Sequence, residues 1–420
     1  MDGVRVRRNE AVLVGFTVAT NLADGVIKIV LPLLAVRLTD SPGLVAGVGL
    51  TLTLPWLLAS LHVGMFVDRG DRRRLAAMAN LVRLAVALGL LAAFAAGALS
   101  LPLLYLAGAA IGLAEVVADS AVGALVPAAV PRERLGRVNA WVAGAETVAN
   151  EFAGPAIGGL LVAAGAVLAL GSSAGAFALG AVLLALLAGR FRAALPEQDA
   201  GQGREPGRVR AEMVEGLAFL WRRRLLRTMS LTIAALVACW SAWLALLPSY
   251  AVQVLDLDPA GYGLLLGSIG VGGLLGAILV TAVNRLLGVR WALFADLVTT
   301  VVMMIVPAVF PQAWAVGAAA LLGGMGGTLW TVNSRTLAQL VVPDRLLGRY
   351  GSAARLLSWG TLPIGAGLAG LLAETVGLTG AFAIFAVAAA LPIVPFLKVV
   401  TESEISIAQR ESEKDHLILA

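Results

Sequence analysis

Gly64-Met65-Phe66-Val67-Asp68-Arg69-Gly70-Asp71-Arg72-Arg73-Arg74-Leu75 lies between two long apolar runs, 43–67 and 75–97, with about seven polar residues separating them. A connection that short forces two membrane helices into an antiparallel hairpin. It also gathers its charges at one membrane face. Arg69, Arg72, Arg73 and Arg74 mark that face as cytoplasmic, because arginines and lysines of short loops stay on the inner side.

The rest of the chain is equally apolar. Of 420 residues, 59% are hydrophobic and 14% charged, and the mean hydropathy is +0.90. Soluble domains carry about 25% charged residues, whereas a spanning helix needs roughly 20 mostly apolar ones. Twelve runs meet that need: 10–37, 43–67, 75–97, 101–126, 138–164, 167–189, 228–253, 260–284, 291–310, 313–340, 349–375 and 379–399. The first is long enough to span and has no small-residue cleavage site, so it reads as a span and not a leader.

Net charge is +5. The arginines crowd alternate connections, at 5–8, 69–74, 132–137, 190–227, 285–290 and 345–349, while the intervening ones carry almost none. That alternation predicts both termini inside, in a plasma (inner) membrane, with basic segments against anionic lipid and not nucleic acid. The lone Cys239 permits no intrachain disulfide and reads as a small buried hydrophobe. Two histidines and one cysteine, widely separated, make no metal site. No nucleotide-binding Gly-x-x-x-x-Gly-Lys and no His-Glu-x-x-His occurs, so neither a cofactor nor an enzyme is expected.

Segment 190–227 is the longest polar stretch, with Pro196, Pro206, Gly201, Gly203 and Gly207 before an amphipathic end, Trp221-Arg222-Arg223-Arg224. It reads as a cytoplasmic linker leading into a helix at the membrane surface. The expected organisation is a six-helix half over 1–189, the linker, a second six-helix half over 228–400, and a tail at 401–420. The halves echo one another. Pro131-Arg132-Glu133-Arg134-Leu135-Gly136-Arg137 precedes the fifth span, and Pro343-Asp344-Arg345-Leu346-Leu347-Gly348-Arg349 precedes the eleventh at an offset of 212. Such parallel half-repeats flank a mid-membrane substrate site in transporters.

The pattern Gly-x-x-x-Asp-Arg-x-x-Arg-Arg of the opening loop resembles the signature loop of the major facilitator superfamily. Gly154-Pro155-Ala156-Ile157-Gly158-Gly159 is similar to the Gly-Pro-x-x-Gly-Gly motif of that superfamily's exporters. Asp71 replaces the usual second glycine of the loop, and Asn150 replaces the glycine four residues before Gly154. With Ala-Leu-Val-Pro-x-x-Val-Pro-Arg-Glu-Arg at 124–134, the chain resembles the branch of macrolide-efflux proteins and enterobactin exporters. The fourth-span arginine of many drug/proton antiporters is absent from 101–126. The resemblance implies an all-α fold of twelve spans in two pseudo-symmetric halves. It implies a monomer that exports small amphipathic or cationic compounds against protons. An importer or uniporter of a nutrient or lysolipid on the same fold is the alternative. A membrane sensor is less favoured, since no large soluble domain is present. The resemblance further implies a gate lock in which Asp119 pairs with Arg72 or Arg73, Asp68 faces the eleventh helix and Arg69 completes the loop. Gly154, Pro155 and Gly158 belong to the same gating set.

Ionisable residues within spans point to function. Asp24 and Lys28 are four apart on one face of the first span, with Asn21 nearby, and read as an internal pair or as a coupling acid with its counter-charge. Glu115 has no basic neighbour within a turn of its own helix and is the foremost proton-binding candidate, with Asp24, Glu146 and Glu151 beside it. Glu146, Asn150, Gly154 and Gly158 form one i, i+4 line. In the second half, Asp296 and Arg335 fall near cytoplasmic ends and read as snorkelling residues. Asn21, Lys28, Trp240, Trp243, Trp330, Asn333, Arg355 and Trp359 are the candidate substrate contacts.

Overall fold

The computed structural model describes residues 3–189, 191, 217–342 and 344–404. The side chains of Asp68, Arg69, Glu151 and Arg355 lie outside the described parts, as do most of the linker and the end of the tail. The described regular structure is helical and includes thirteen helices and one π segment, besides a helical turn at 217–222. The first group is α1 (Gly3–Val36), α2 (Pro42–Arg69), α3 (Arg72–Ala95), α4 (Leu101–Ala129), α5 (Arg132–Glu146), the π segment Thr147–Ala153, α6 (Gly154–Ala164) and α7 (Ala166–Leu186). Then follow α8 (Arg224–Gln253), α9 (Pro259–Val309), α10 (Ala313–Val341), α11 (Asp344–Trp359), α12 (Leu362–Ala390) and α13 (Ile393–Val399).

Helix ends follow local chemistry. The Ser41 hydroxyl accepts from the Leu44 N–H at 3.1 Å, and Pro42 opens α2 where a missing N–H costs nothing. Asp71 caps α3 by accepting from the Arg74 N–H at 3.1 Å, so only Gly70 and Asp71 separate α2 from α3. Among the described residues, ten helical stretches are long and apolar enough to span. The two longest, of 51 and 44 residues, are each broken by a glycine at positive φ, Gly288 at 81° and Gly377 at 78°. L-residues avoid that conformation and glycine does not, so these two breaks bring the spans to twelve. The first helix begins at Gly3, ahead of the apolar run that starts at residue 10. Its charged first turns extend past the apolar run and hold Glu10, which pairs with Arg134 at 3.2 Å and Arg137 at 3.4 Å.

Two compact units are present, one of residues 1–194 and 245–270, the other of 195–244 and 271–420. In the first, α1 touches α2, α4, α5, α6, α7 and the π segment, and it is the most enclosed of the spans. Its core includes Leu13 and Phe16 of α1 with Leu125 and Val126 of α4 and Leu184 of α7. The second unit's core joins Leu225 and Leu226, Leu293 and Leu297, Trp330, Leu337 and Phe396.

The sequence repeat continues into the backbone. The offset of 212 carries Gly165, the single residue between α6 and α7, onto Gly377. It also carries Val148 and Ala149 of the π segment onto Gly360 and Thr361, the break between α11 and α12. Close packing repeats as well. A Cβ on Gly154 would lie 2.7 Å from the Gly25 Cα, and one on Gly365 would run into the Ala238 carbonyl. Each unit thus presses its interrupted helix against its own first helix without side chains between them.

Candidate functional site

Asn21, Asp24 and Lys28 lie three and four residues apart, so one face of α1 carries them all. That face meets α3, α4 and the π segment. Arg83 Nη1 of α3 donates to Asp24 Oδ2 at 2.9 Å, with both side chains at most 3% exposed. The Arg83 guanidinium also stands 5.9 Å above the Phe177 ring centroid. One turn further, Lys28 Nζ donates to Glu115 Oε1 at 2.8 Å.

Asn150 ties the second pair together. Its Oδ1 accepts from Lys28 at 3.2 Å, and its Nδ2 donates to Glu115 Oε1 at 3.3 Å and to Asn21 Oδ1 at 3.1 Å. The side chain reaches this position from the π segment. Pro155 has no N–H, and the Gly154 N–H bonds the Ala149 carbonyl five residues back. The wide turn places the Asn150 and Ala149 carbonyls against Gly25, where a Cβ would lie 2.8 and 3.1 Å from them. Charge centres and a close backbone contact between helices therefore adjoin one another.

The network holds two carboxylates and two cations. It also has spare capacity. Asp24 Oδ1 and Arg83 Nε are buried without a hydrogen-bond partner among the described residues. Such atoms are uncommon and costly. Asp24 Oδ1 in particular retains lone pairs on a carboxylate whose other oxygen is already engaged.

Several sequence expectations change here. Asp24 and Lys28 do not pair with each other, since each has a closer partner on another helix. Glu115 is not the uncompensated acid: Lys28 reaches it from α1, a partner invisible when only α4 is inspected. The π segment interrupts the i, i+4 line from Glu146, which is half-buried, although Gly154 and Gly158 both face α1. Arg72 and Arg73 are not directed at Asp119, which is exposed on α4. Arg72 Nη1 donates to the Ala124 carbonyl at 3.1 Å and Arg73 Nη2 to the Ala185 carbonyl at 2.8 Å. Both carbonyls lie in the last turns of helices, where the dipole favours a cation. Asp71, the departure from the usual glycine, is the cap of α3 and stands 3.9 Å from Arg74. Arg83 and Asn150 were missed as site residues. Arg83 is the only charged residue in 75–97, which was its signal.

In the second unit Trp243 is fully buried and Trp330 packs 6.2 Å from Phe396 in the core. Trp240 is half-buried and Trp359 is exposed. Asn333 is buried and accepts from Asn284 Nδ2 at 2.7 Å, tying α10 to α9. Arg335 is exposed, but Asp296 does not snorkel: only 4% of it is exposed. Cys239 is buried, its thiol 3.6 Å from the Phe385 carbonyl.

A family profile described as transmembrane secretion effector matches residues 11–416. The multidrug efflux pump Tap of Mycobacterium tuberculosis (strain H37Rv) is 29% identical over 409 residues, covering 92% of this chain and 91% of the relative. The Tap pump of Mycolicibacterium fortuitum is 26% identical over 394 residues, covering 90% and 92%. Among solved structures, a bacterial homologue of the iron transporter ferroportin, in an inward-facing state, superposes with a TM-score of 0.71 at 19% identity, over 95% of this chain and 99% of that one. At that identity the likeness is one of fold.

Proposed function

This chain belongs to the transmembrane secretion effector family of major facilitator transporters, and we propose that it exports small amphipathic or cationic compounds across the inner membrane in exchange for protons. Two six-helix halves, 1–189 and 228–400, rock about a mid-membrane site, with both termini and the linker in the cytoplasm. The likeness to multidrug efflux pumps over nine-tenths of the chain supports drug-like cargo.

One observation carries the proton reading: a buried, charge-balanced network with a vacant lone pair on Asp24 Oδ1. A proton landing on Asp24 cancels its attraction for Arg83. A proton on Glu115 frees Lys28 and loosens Asn150. Either event changes the hydrogen bonding of α1 beside its contact with the π segment and Gly154, so protonation and helix packing are linked. Asn21 and Lys28, the latter 37% exposed at its side chain, supply the polar contacts to cargo. The membrane potential adds about 2.3 kcal/mol per charge moved across 100 mV.

The test is drug accumulation in an efflux-deficient host, with and without an uncoupler. Expression should lower accumulation of several amphipathic drugs, and the uncoupler should abolish the difference. Undiminished export after the proton gradient collapses would remove protons from the mechanism.

A further inference from the structure

We propose that Asp296 is a second proton-binding residue, located in the second unit and separate from the Asp24/Glu115 network. The inference rests on the proton-driven reading only for its role in transport, not for the binding itself.

Asp296 stands two turns into the part of α9 that follows Gly288, within an apolar span. It is 4% exposed, and the hydroxyl of Thr300, itself 4% exposed, donates to its carboxyl group. On the facing helix the residue is Gly326. A Cβ there would lie 3.0 Å from both the Asp296 Cα and its Oδ1. The carboxyl group is therefore pressed against bare backbone, with no side chain of α10 in between.

Among the described side chains, the basic groups of the neighbouring segments are committed elsewhere or turned outward. Arg290 Nη2 donates to the Leu397 carbonyl at 3.1 Å and its guanidinium lies 5.0 Å from the Trp291 ring. Arg227 donates to the Trp221 carbonyl at 3.3 Å and stacks on that ring. Arg224, Arg285, Arg335 and Lys398 are exposed. Among the described residues, no ion pair includes Asp296.

The contrast with the first unit decides the assignment. There, each buried acid has a cation within 3 Å. Here a carboxylate would stand in a span with a single hydroxyl for support. A charge so placed is expensive and marks a functional position, and the group escapes the cost by binding a proton. The cycle balances: the carboxylate takes a proton from water on one side, stays neutral while enclosed, and returns it to water when its surroundings open to the other side. Gly326 leaves no space there for a drug-sized molecule, so the ligand is the proton.

Infrared titration of the purified full-length protein in lipid tests this directly. The wild type should show a protonated-carboxyl C=O band that Asp296→Asn removes and Asp296→Glu shifts. Persistence of the full band in Asp296→Asn would overturn the proposal. In proteoliposomes, Asp296→Asn should cut substrate-induced proton movement about tenfold while substrate Kd changes less than about threefold. An equal loss in both would instead indicate a structural role and also overturn it. A wild type that moves no protons would defeat the proton-driven reading, and the infrared result would still decide Asp296 by itself. Asp296→Glu, which keeps the acid, covers the case in which Asp296→Asn does not fold.

Discussion

Replacing Arg83 by leucine strands Asp24 in the middle of the first unit, and the cost follows from the geometry. At 2.9 Å the pair attracts by about 6 kcal/mol with an effective dielectric near 20. That gain is opposed by the desolvation of two ions that are both almost completely buried. Losing one partner of such a pair typically costs 3–5 kcal/mol. The stranded acid limits the loss by taking up a proton. Starting from an ordinary carboxyl pKa near 3.9, that costs about 4 kcal/mol at pH 7 and about 1.5 kcal/mol at pH 5. The sign follows from proton counting: in the variant the folded state binds one more proton than the unfolded state, so its stability rises as pH falls. Arg83→Leu should therefore be about 4 kcal/mol less stable than the wild type at pH 7, and the deficit should shrink by about 2.7 kcal/mol at pH 5. The double variant Asp24→Asn/Arg83→Leu should recover most of the loss at pH 7 and show little pH dependence. Reversible unfolding in mixed micelles at the two pH values measures all three. Additive single-variant effects, or a deficit that does not change with pH, would refute the ion-pair account.

Three more outcomes are expected. Gly154→Val should block transport and lower thermal stability, because any Cβ there meets the Ala149 carbonyl at 2.6 Å and Gly25 at 2.7 Å, whereas Gly171→Ala, with open space around it, should be neutral. Glu115→Gln should keep substrate binding and lose proton movement in proteoliposomes, since glutamine still hydrogen-bonds Asn150 but no longer titrates; normal proton movement would clear Glu115 of the coupling role. On a Cys239→Ala background, an externally added thiol reagent should label Asp258→Cys and not Glu205→Cys, and the opposite pattern would invert the topology.

The fold was legible because its governing signals are local. The hairpin at 64–75 needed only two apolar runs and a short basic connection, and the structure separates α2 from α3 by two residues. The breaks at Gly288 and Gly377 fall where charge and glycine interrupted the hydropathy. The site was legible only along each helix. Asp24, Lys28 and Glu115 were visible as ionisable residues in apolar runs, but their pairing is a property of neighbouring helices. An i, i+4 spacing makes Asp24 and Lys28 neighbours, yet Arg83 and Glu115 approach each of them more closely. Asn150 entered the reading as a departure from a motif. Its role depends on a π turn that sequence periodicity does not reveal.

That π turn bears on why the network adjoins a glycine contact. Packed interiors do not deform continuously; they switch between discrete arrangements. At Gly25 and Gly154 two backbones touch with no side chains to absorb a displacement. Asn150 is bonded on one side to Lys28, Glu115 and Asn21, and on the other its own carbonyl rests against Gly25. On the proposed coupling, a proton at Glu115 weakens the Lys28 contact and alters what Asn150 holds. The altered strain falls on a segment that already carries one residue too many for an α-helix. Returning it to α geometry would shift the register of α6 relative to α5 and move Gly154 off Gly25. On that reading the chemistry and the helix movement would be the same event.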